Sequence, residues 1–199
     1  MARSSAEVAA LTRRRVLDHA IEMFDRNGFA GTALDDVARA ASVTRGAVYH
    51  HFVSKKGLFV AVMEALQAEV AQEVERRAHD AGDSALDQLR AGSHAFVDAI
   101  TRQPRLKILL IDAPAVVGWR TWRDHDAAHS MRHLREGLEQ VGVPEALLDA
   151  VTVQLSGAMN EAALWVAEHD GDELAREKTR EALDVLIDAL ARYSGAHEH

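Results

Sequence analysis

The residues best equipped for chemistry fall in two clusters. The first is Thr44 to Phe52, TRGAVYHHF, which gathers an arginine, a tyrosine, a phenylalanine, two histidines, a threonine and a glycine. The chain has 199 residues but only two tyrosines and five phenylalanines, so this concentration is local and needs a reason. The second is His125, His129 and His133, spaced i, i+4, i+8. Neighbouring residues on a helix point about 100° apart, so His50 and His51 cannot both face one metal ion. The second set can share a helix face, and His-x-x-x-His is a zinc-type chelating spacing. Ala127, Met131, Leu134 and Leu138 fall on roughly the opposite side, so a solvated or interface face is the plainer reading. No metal and no cofactor is expected.

What must position the first cluster is a set of helices. Helical spacing dominates, strand alternation is almost absent, and only three prolines interrupt the chain: Pro104, Pro114 and Pro144. The pattern predicts an all-α protein of about nine helices. The first runs from about Glu7 to Asn27 and stops at Asn27-Gly28, a C-cap and turn pair. A second opens at Thr32, with Asp35 three residues on completing a capping box. Leu34, Val37, Ala38 and Ala41 form its buried face. A turn at Ser42-Val43 leads to a third short helix with Thr44 as N-cap. Ser54 caps a long fourth helix to about Ala81. Further helices span about Ser84 to Gln103 and then Pro104 onward, kinked near Pro114 and Gly118, with the next reaching about Gln140. The last two run from Pro144 to about His169 and from Glu173 to Tyr193.

Two short helices joined by a tight turn, with Ala38 and Ala41 small enough for close crossing, make a helix-turn-helix candidate. On the second helix Val48 and Phe52 face inward, and Thr44, Arg45, Tyr49 and His50 face outward. Gly46 leaves the outward face bare, at about 1 kcal/mol relative to alanine, which suits a closely approaching partner surface. Hydroxyls, arginine and helix N-termini bind phosphate oxygens, and arginine can also read a guanine edge. Lys55 and Lys56 oppose the dipole at the start of the fourth helix, as an adjacent anion would allow. Plainer readings stand beside these: Tyr49 as core, and the two lysines as an ordinary solvated helix start.

The charge distribution points the same way. Formal net charge is -8, yet residues 1–60 hold nine Lys/Arg against six Asp/Glu, and the remainder holds 14 against 25. A basic head on an acidic body suits a local anionic partner. With 48% hydrophobic and 27% charged residues the composition is that of a folded domain, and its length allows one large domain or two small ones. The absence of cysteine excludes disulfides, thiolate zinc sites and a cysteine nucleophile. No nucleophile–base motif or glycine-rich phosphate loop is present, so the chain is not expected to be an enzyme. No run of about 18 apolar residues occurs and no signal peptide is read, so the expected location is cytoplasmic, away from membranes.

The block from Arg15 to about Leu58 resembles the DNA-binding domain of TetR-type transcriptional regulators. The resemblance rests on Ala20, Phe24 and Gly28 at the close of the first helix, on GTALDDVARAASVTRGAVYHHFVSKKGLF, and above all on the Tyr49 to Lys56 ending. Ser42 departs from it, since glycine is common at that turn. The resemblance implies a DNA-binding domain over 7–53 and a helical ligand-binding and dimerisation domain over 54–195. It implies that Thr32, Thr44, Tyr49 and Lys56 grip phosphates, that Arg45, Gly46 and His50 lie at the major groove, and that Lys55 belongs to the same basic edge. A homodimer on a palindromic double-stranded operator follows, with the last two helices pairing through Leu155, Met159, Ala162, Leu183, Leu186, Ile187 and Leu190. The middle helices would form a chamber for a small-molecule effector, with Phe96, Ile100, Leu110, Trp119, Trp122, Met131 and Asn160 as lining candidates. An ordinary core face remains the alternative for both apolar sets.

Overall fold

The computed structural model describes residues 5–126 and 131–195, and among them all regular structure is helical. There are ten α-helices and one π-helical turn: α1 (Ser5–Gly31), α2 (Leu34–Ala40), α3 (Arg45–Phe52), α4 (Lys55–Asp80), α5 (Ala85–Ile100), the π-turn (Lys107–Asp112), α6 (Ala113–Val117), α7 (Trp119–Asp126), α8 (Arg132–Gln140), α9 (Glu145–Glu168) and α10 (Glu173–Gly195). The expected count of about nine differs because the stretch around Pro114 and Gly118 is cut more finely. Pro114 sits in the first turn of α6, and Gly118, at φ 90°, ends it.

The chain divides into two compact units: Met1–Leu66 with Lys107–Trp122, and Gln67–Leu106 with Arg123–His199. These units differ in extent from the expected ranges 7–53 and 54–195: α4 contributes to both, and the π-turn and α6 belong to the first.

In the first unit the core is aromatic. Phe24 and Phe59 meet edge-on at 5.1 Å between centroids, and Phe29 meets Phe59 the same way at 5.4 Å. Such pairs add about 0.5–1.5 kcal/mol beyond simple burial. Val16, Ala20, Val37, Val48, Leu58 and Ile108 are fully buried around them. Helix α2 has seven residues, too short to persist alone. It is held by burying Leu34, Val37 and Ala38, and by Arg15 of α1, whose Nη2 donates to the Ala41 carbonyl at 2.5 Å. The turn after it closes with Val43 N–H donating to Ala38 O at 3.0 Å. Ser42 carries φ 52°, the left-handed position a glycine would take freely; serine costs about 1–2 kcal/mol there.

The second turn of the head is tighter. Val53 has φ 63° and ψ −41°, and Ser54 N–H donates to Phe52 O at 2.6 Å, forming a γ-turn. A β-branched residue at positive φ is an outlier, and such strain costs on the order of 1–3 kcal/mol. The reversal also brings the Phe52 carbonyl against α4: a Cβ at Gly57 would lie 2.1 Å from that oxygen, so only glycine fits. Ser54 Oγ then caps α4 by accepting from Gly57 N–H at 3.0 Å, as its sequence position predicted.

In the second unit, α5, α9 and α10 pack on one another around Phe96, Ile100, Leu148, Leu155, Met159, Ala163, Leu183 and Ile187, all buried. Polar clamps fasten the same helices. Arg90 of α5 reaches Asp188 of α10 at 2.6 Å and Asp184 at 3.2 Å, while His94 Nε2 lies 2.9 Å from Asp184. Arg180 donates to Asp98 at 2.9 Å, and that bond leads the causes raising its guanidinium pKa.

Candidate nucleic-acid interface and effector cavity

Helix α3 separates its two faces as its spacing predicts. Val48 and Phe52 are buried, while Thr44, Arg45, Gly46, Tyr49 and His50 are exposed. Thr44 caps the helix, its hydroxyl oxygen accepting from Ala47 N–H at 3.2 Å. Gly46 has nothing near it: a Cβ there would meet only Thr44 Oγ1, at 3.9 Å. Nothing inside the protein requires a glycine at this position. His51 is half-buried against Phe52, at 6.0 Å between ring centroids.

Arg45 is held in place. Its Nη1 donates to Asp35 Oδ2 at 3.1 Å, its Nε lies 3.1 Å from Asp35 Oδ1, and its Nη2 donates to the Tyr49 hydroxyl at 3.4 Å. The guanidinium carbon lies 5.3 Å from the Tyr49 ring centroid, a cation–π distance. The bond to Tyr49, then the charge of Asp35, raise the Arg45 pKa above its already high range. It stays cationic at every physiological pH.

Two expected DNA contacts are corrected. Thr32 is only 2% exposed, and its hydroxyl donates to Gly28 O at 2.9 Å and Met23 O at 3.1 Å. It closes the end of α1 and has no surface to offer a phosphate. The capping box also fails: the N-cap of α2 is Ala33, one residue on, which has no side-chain acceptor. Lys55 points its ammonium back into the head, donating to Ala30 O at 3.1 Å and sitting 4.6 Å from the Phe29 ring centroid. It braces the α1–α2 turn, and Lys56 is the exposed lysine of the pair.

The second unit contains a cavity of about 280 Å³ between α4, α5, α8 and α9. Its wall is mostly apolar, built from Val70, Val74, Leu89, Phe96, Leu134 and Met159. The polar groups on its wall include Glu75, His79, His133 and Glu136, and no Lys or Arg is among the described lining residues. His133 Nε2 lies 2.8 Å from Glu75 Oε1, and Nδ1 lies 3.6 Å from Glu136 Oε2.

Of the seven residues predicted to line a chamber, only Phe96 faces this cavity. Ile100 is buried in the packing of its own unit, and Met131 is half-buried just before α8. Asn160 is buried one turn beyond Ser156, and its Oδ1 finds no donor; Gln67 Oε1, buried one turn before Val70 on α4, is in the same condition. Leu110, Trp119 and Trp122 belong to the first unit. There Trp122 Nε1 donates to Leu109 O at 2.8 Å, and Trp119 is 65% exposed. The chamber helices are thus α4, α5, α8 and α9, and Gly92 and Gly137, both on its wall, carried no signal in the sequence. Of the three histidines, His129 lies outside the described residues. His125 is on α7 and His133 on α8, and residues 127–130 between them lie outside the described residues. No group of three metal-ligating side chains occurs among the described residues.

The predicted pairing residues also split. Leu155, Met159, Leu183 and Ile187 are buried within their own unit and have little surface to offer a partner. Ala162 and Leu190 are half-exposed and Leu186 is exposed. Beside them Val153 and Trp165 on α9, and Leu174, Val185 and Tyr193 on α10, are exposed apolar side chains. No described helix is long and apolar enough to cross a membrane.

Comparison with known proteins agrees with this architecture. Residues 16–62 match the family model for bacterial regulatory proteins of the tetR family, and residues 86–190 match the tetracyclin repressor-like C-terminal domain. The HTH-type transcriptional regulator AcrR of Shigella flexneri is 34% identical over 111 residues, 55% of this chain and 51% of that protein. The negative regulator IcaR of the biofilm operon icaADBC in Staphylococcus aureus is 38% identical over 45 residues, 23% of this chain and 24% of its own. The chain thus matches about half the length of the first of these relatives and a quarter of the second. A crystal structure of a TetR-family transcriptional regulator from Pectobacterium atrosepticum is 32% identical, with a TM-score of 0.70 over 94% of this chain and 97% of that one. With a matched reading head and a matched C-terminal domain, the chain belongs to the TetR family of transcriptional regulators.

Proposed function

We propose that this protein is a ligand-responsive repressor that binds a palindromic operator as a homodimer and is released by a small molecule. The observation that carries the proposal is the exposed face of α3, where Thr44, Arg45, Gly46, Tyr49 and His50 surround a position with no side chain and no internal need for that absence. Lys56 extends the same basic edge. Repression is the reading favoured by the likeness to IcaR, whose name describes a negative regulator. An operator-bound protein works where the DNA is, which places it in the cytoplasm.

A single short helix reads too little sequence, and helix-turn-helix proteins gain affinity by pairing two half-sites one helical turn apart. The exposed apolar row of α9 and α10, centred on Ala162, Val185, Leu186 and Leu190, supplies a self-complementary surface for that pairing. The cavity is the effector site. Its two carboxylates, Glu75 and Glu136, accept hydrogen bonds, and with no lysine or arginine among the described lining residues they disfavour an anion. A compact apolar molecule, neutral or cationic and bearing N–H or O–H groups, fits these terms. Its binding releases DNA only if it prefers one arrangement of the dimer over the other.

The test is duplex selection from a random pool, followed by affinity measurements across salt. A palindromic duplex should emerge, and its binding should weaken linearly in log–log form as salt rises. Lys56→Ala should weaken binding to all sequences alike, as loss of a phosphate contact does. For the effector, octylamine, octanol and octanoate present one chain with three head groups. The amine and alcohol should raise the melting temperature, and octanoate should not. A preference for octanoate refutes the effector class and leaves the DNA reading standing.

A further inference from the structure

Arginine on a DNA-reading helix has two distinct uses: a flexible phosphate contact that ignores sequence, or a fixed fork that reads guanine O6 and N7. The surroundings of Arg45 discriminate between them. Asp35 stands in the first turn of α2 and Arg45 in the first turn of α3, ten residues apart across the turn. The carboxylate takes one Nη1 hydrogen at 3.1 Å, and the Tyr49 hydroxyl takes one Nη2 hydrogen at 3.4 Å. A guanidinium has five N–H donors; with Nε also 3.1 Å from Asp35 Oδ1, two remain, one on Nη1 and one on Nη2, the number a two-donor fork needs. The ring of Tyr49 lies against the same group, its centroid 5.3 Å from the guanidinium carbon. Two side chains, Asp35 and Tyr49, therefore hold the plane before any partner arrives.

An acidic side chain at a DNA surface is otherwise a liability, since it repels phosphate. The other acid of that turn, Asp36, pairs with Arg39 of its own helix at 3.0 Å. Asp35 instead reaches across to the reading helix. The pair as a whole carries no net charge, which removes much of the attraction to phosphate and leaves the directional donors. That is the wrong arrangement for a phosphate grip and the right one for a base edge.

We propose that Asp35 is the specificity-positioning residue of this regulator, orienting Arg45 to read one guanine in each operator half-site. The inference rests on the reading of α3 as the DNA-contacting helix. Asp35 itself touches no base; it acts through the guanidinium by limiting its rotamers, so less freedom is lost when the fork engages.

The experiment compares wild type, Arg45→Ala, Asp35→Ala and Asp35→Glu in selection from a random duplex pool, followed by affinity for the selected duplex, for its single-base variants and for an unrelated duplex. Wild type should select a guanine at one position per half-site, and Arg45→Ala should lose that preference alone. Asp35→Ala should relax the same preference by about tenfold or more, since a good arginine–guanine pair discriminates on that order. Affinity for the unrelated duplex should stay level or rise, because a negative charge has been removed. Asp35→Glu keeps the carboxylate and should recover part of the preference. If Asp35→Ala strengthens binding to every duplex equally and leaves the guanine preference intact, Asp35 is an ordinary surface acid and the inference fails. It fails also if the position lost in Arg45→Ala is not a guanine. If wild type enriches no duplex at all, the DNA-binding reading falls and takes this inference with it.

Discussion

The exposed face of α3 and the cavity of the second unit arise from the same sequence, and they differ in how far that sequence reveals them. On α3, turn chemistry fixes where the helix begins. Inward Val48 and Phe52 then fix its rotation, and every remaining polar side chain must point out. The cavity has no such anchor. Its wall is made of Val, Leu, Phe and Met at helical spacing, and the same spacing builds a filled core. What distinguishes the two is the volume left between α4, α5, α8 and α9, and that volume depends on small residues such as Gly92 and Gly137. A site made of protruding groups is written in residue types, whereas a site made of missing atoms is written in packing.

The largest effect should come from the pairing face. Val185→Arg together with Leu186→Arg places charge on exposed apolar positions and should leave each unit folded. Sedimentation should show monomers, and operator affinity should fall by about a hundredfold or more as the two heads lose their linkage. Unchanged sedimentation would move the interface elsewhere.

Next is Thr32→Val, a near-isosteric change within the head. It removes the donor to Gly28 and Met23 carbonyls and should cost about 1–3 kcal/mol of stability by urea unfolding. Operator affinity of the folded protein should change little. A stable variant that loses DNA binding would return Thr32 to the phosphate-contacting set.

Filling the cavity should separate the two regions. In Gly92→Leu a Cβ meets Val74 and Ala78 at ordinary distances of 3.5 and 3.7 Å, so the added side chain can occupy the free space. Octylamine affinity should drop about tenfold or more, the scale of one lost apolar contact set, with operator binding in the absence of octylamine preserved. Loss of operator binding with intact octylamine affinity would reverse the assignment of the two regions.

The same contrast explains which parts of the fold were legible. The all-α class, the break at Asn27-Gly28, where Gly28 takes φ 68° as a kink within α1, the start of α9 at Pro144, and the caps at Thr44 and Ser54 were written in local chemistry. The capping box was not, because Thr32 had a better use beneath the surface and Ala33 took the cap without a side chain to offer. Lys55 and Lys56 are indistinguishable as letters; only the position of Phe29 and the Ala30 carbonyl separates brace from free lysine. The strained turn at Val53 had no signal, since a valine there argues against the conformation it adopts. Gly57 becomes explicable only after that turn places the Phe52 carbonyl beside it. On α9 and α10 both arcs of each helix are apolar, so periodicity could not tell Ile187, packed within its own unit, from Leu186 on the surface.

Gly46 offers the most direct test of the central claim, because the fold and the function demand opposite outcomes. A glycine inside a helix weakens it by about 1 kcal/mol relative to alanine, and space is open around this one. Gly46→Ala should therefore raise stability toward urea by about that amount. If α3 lies against DNA, the added methyl should weaken binding to the selected duplex several-fold while the protein becomes more stable. A variant that is more stable and binds the duplex as tightly as wild type would contradict the assignment of α3 as the surface that meets DNA.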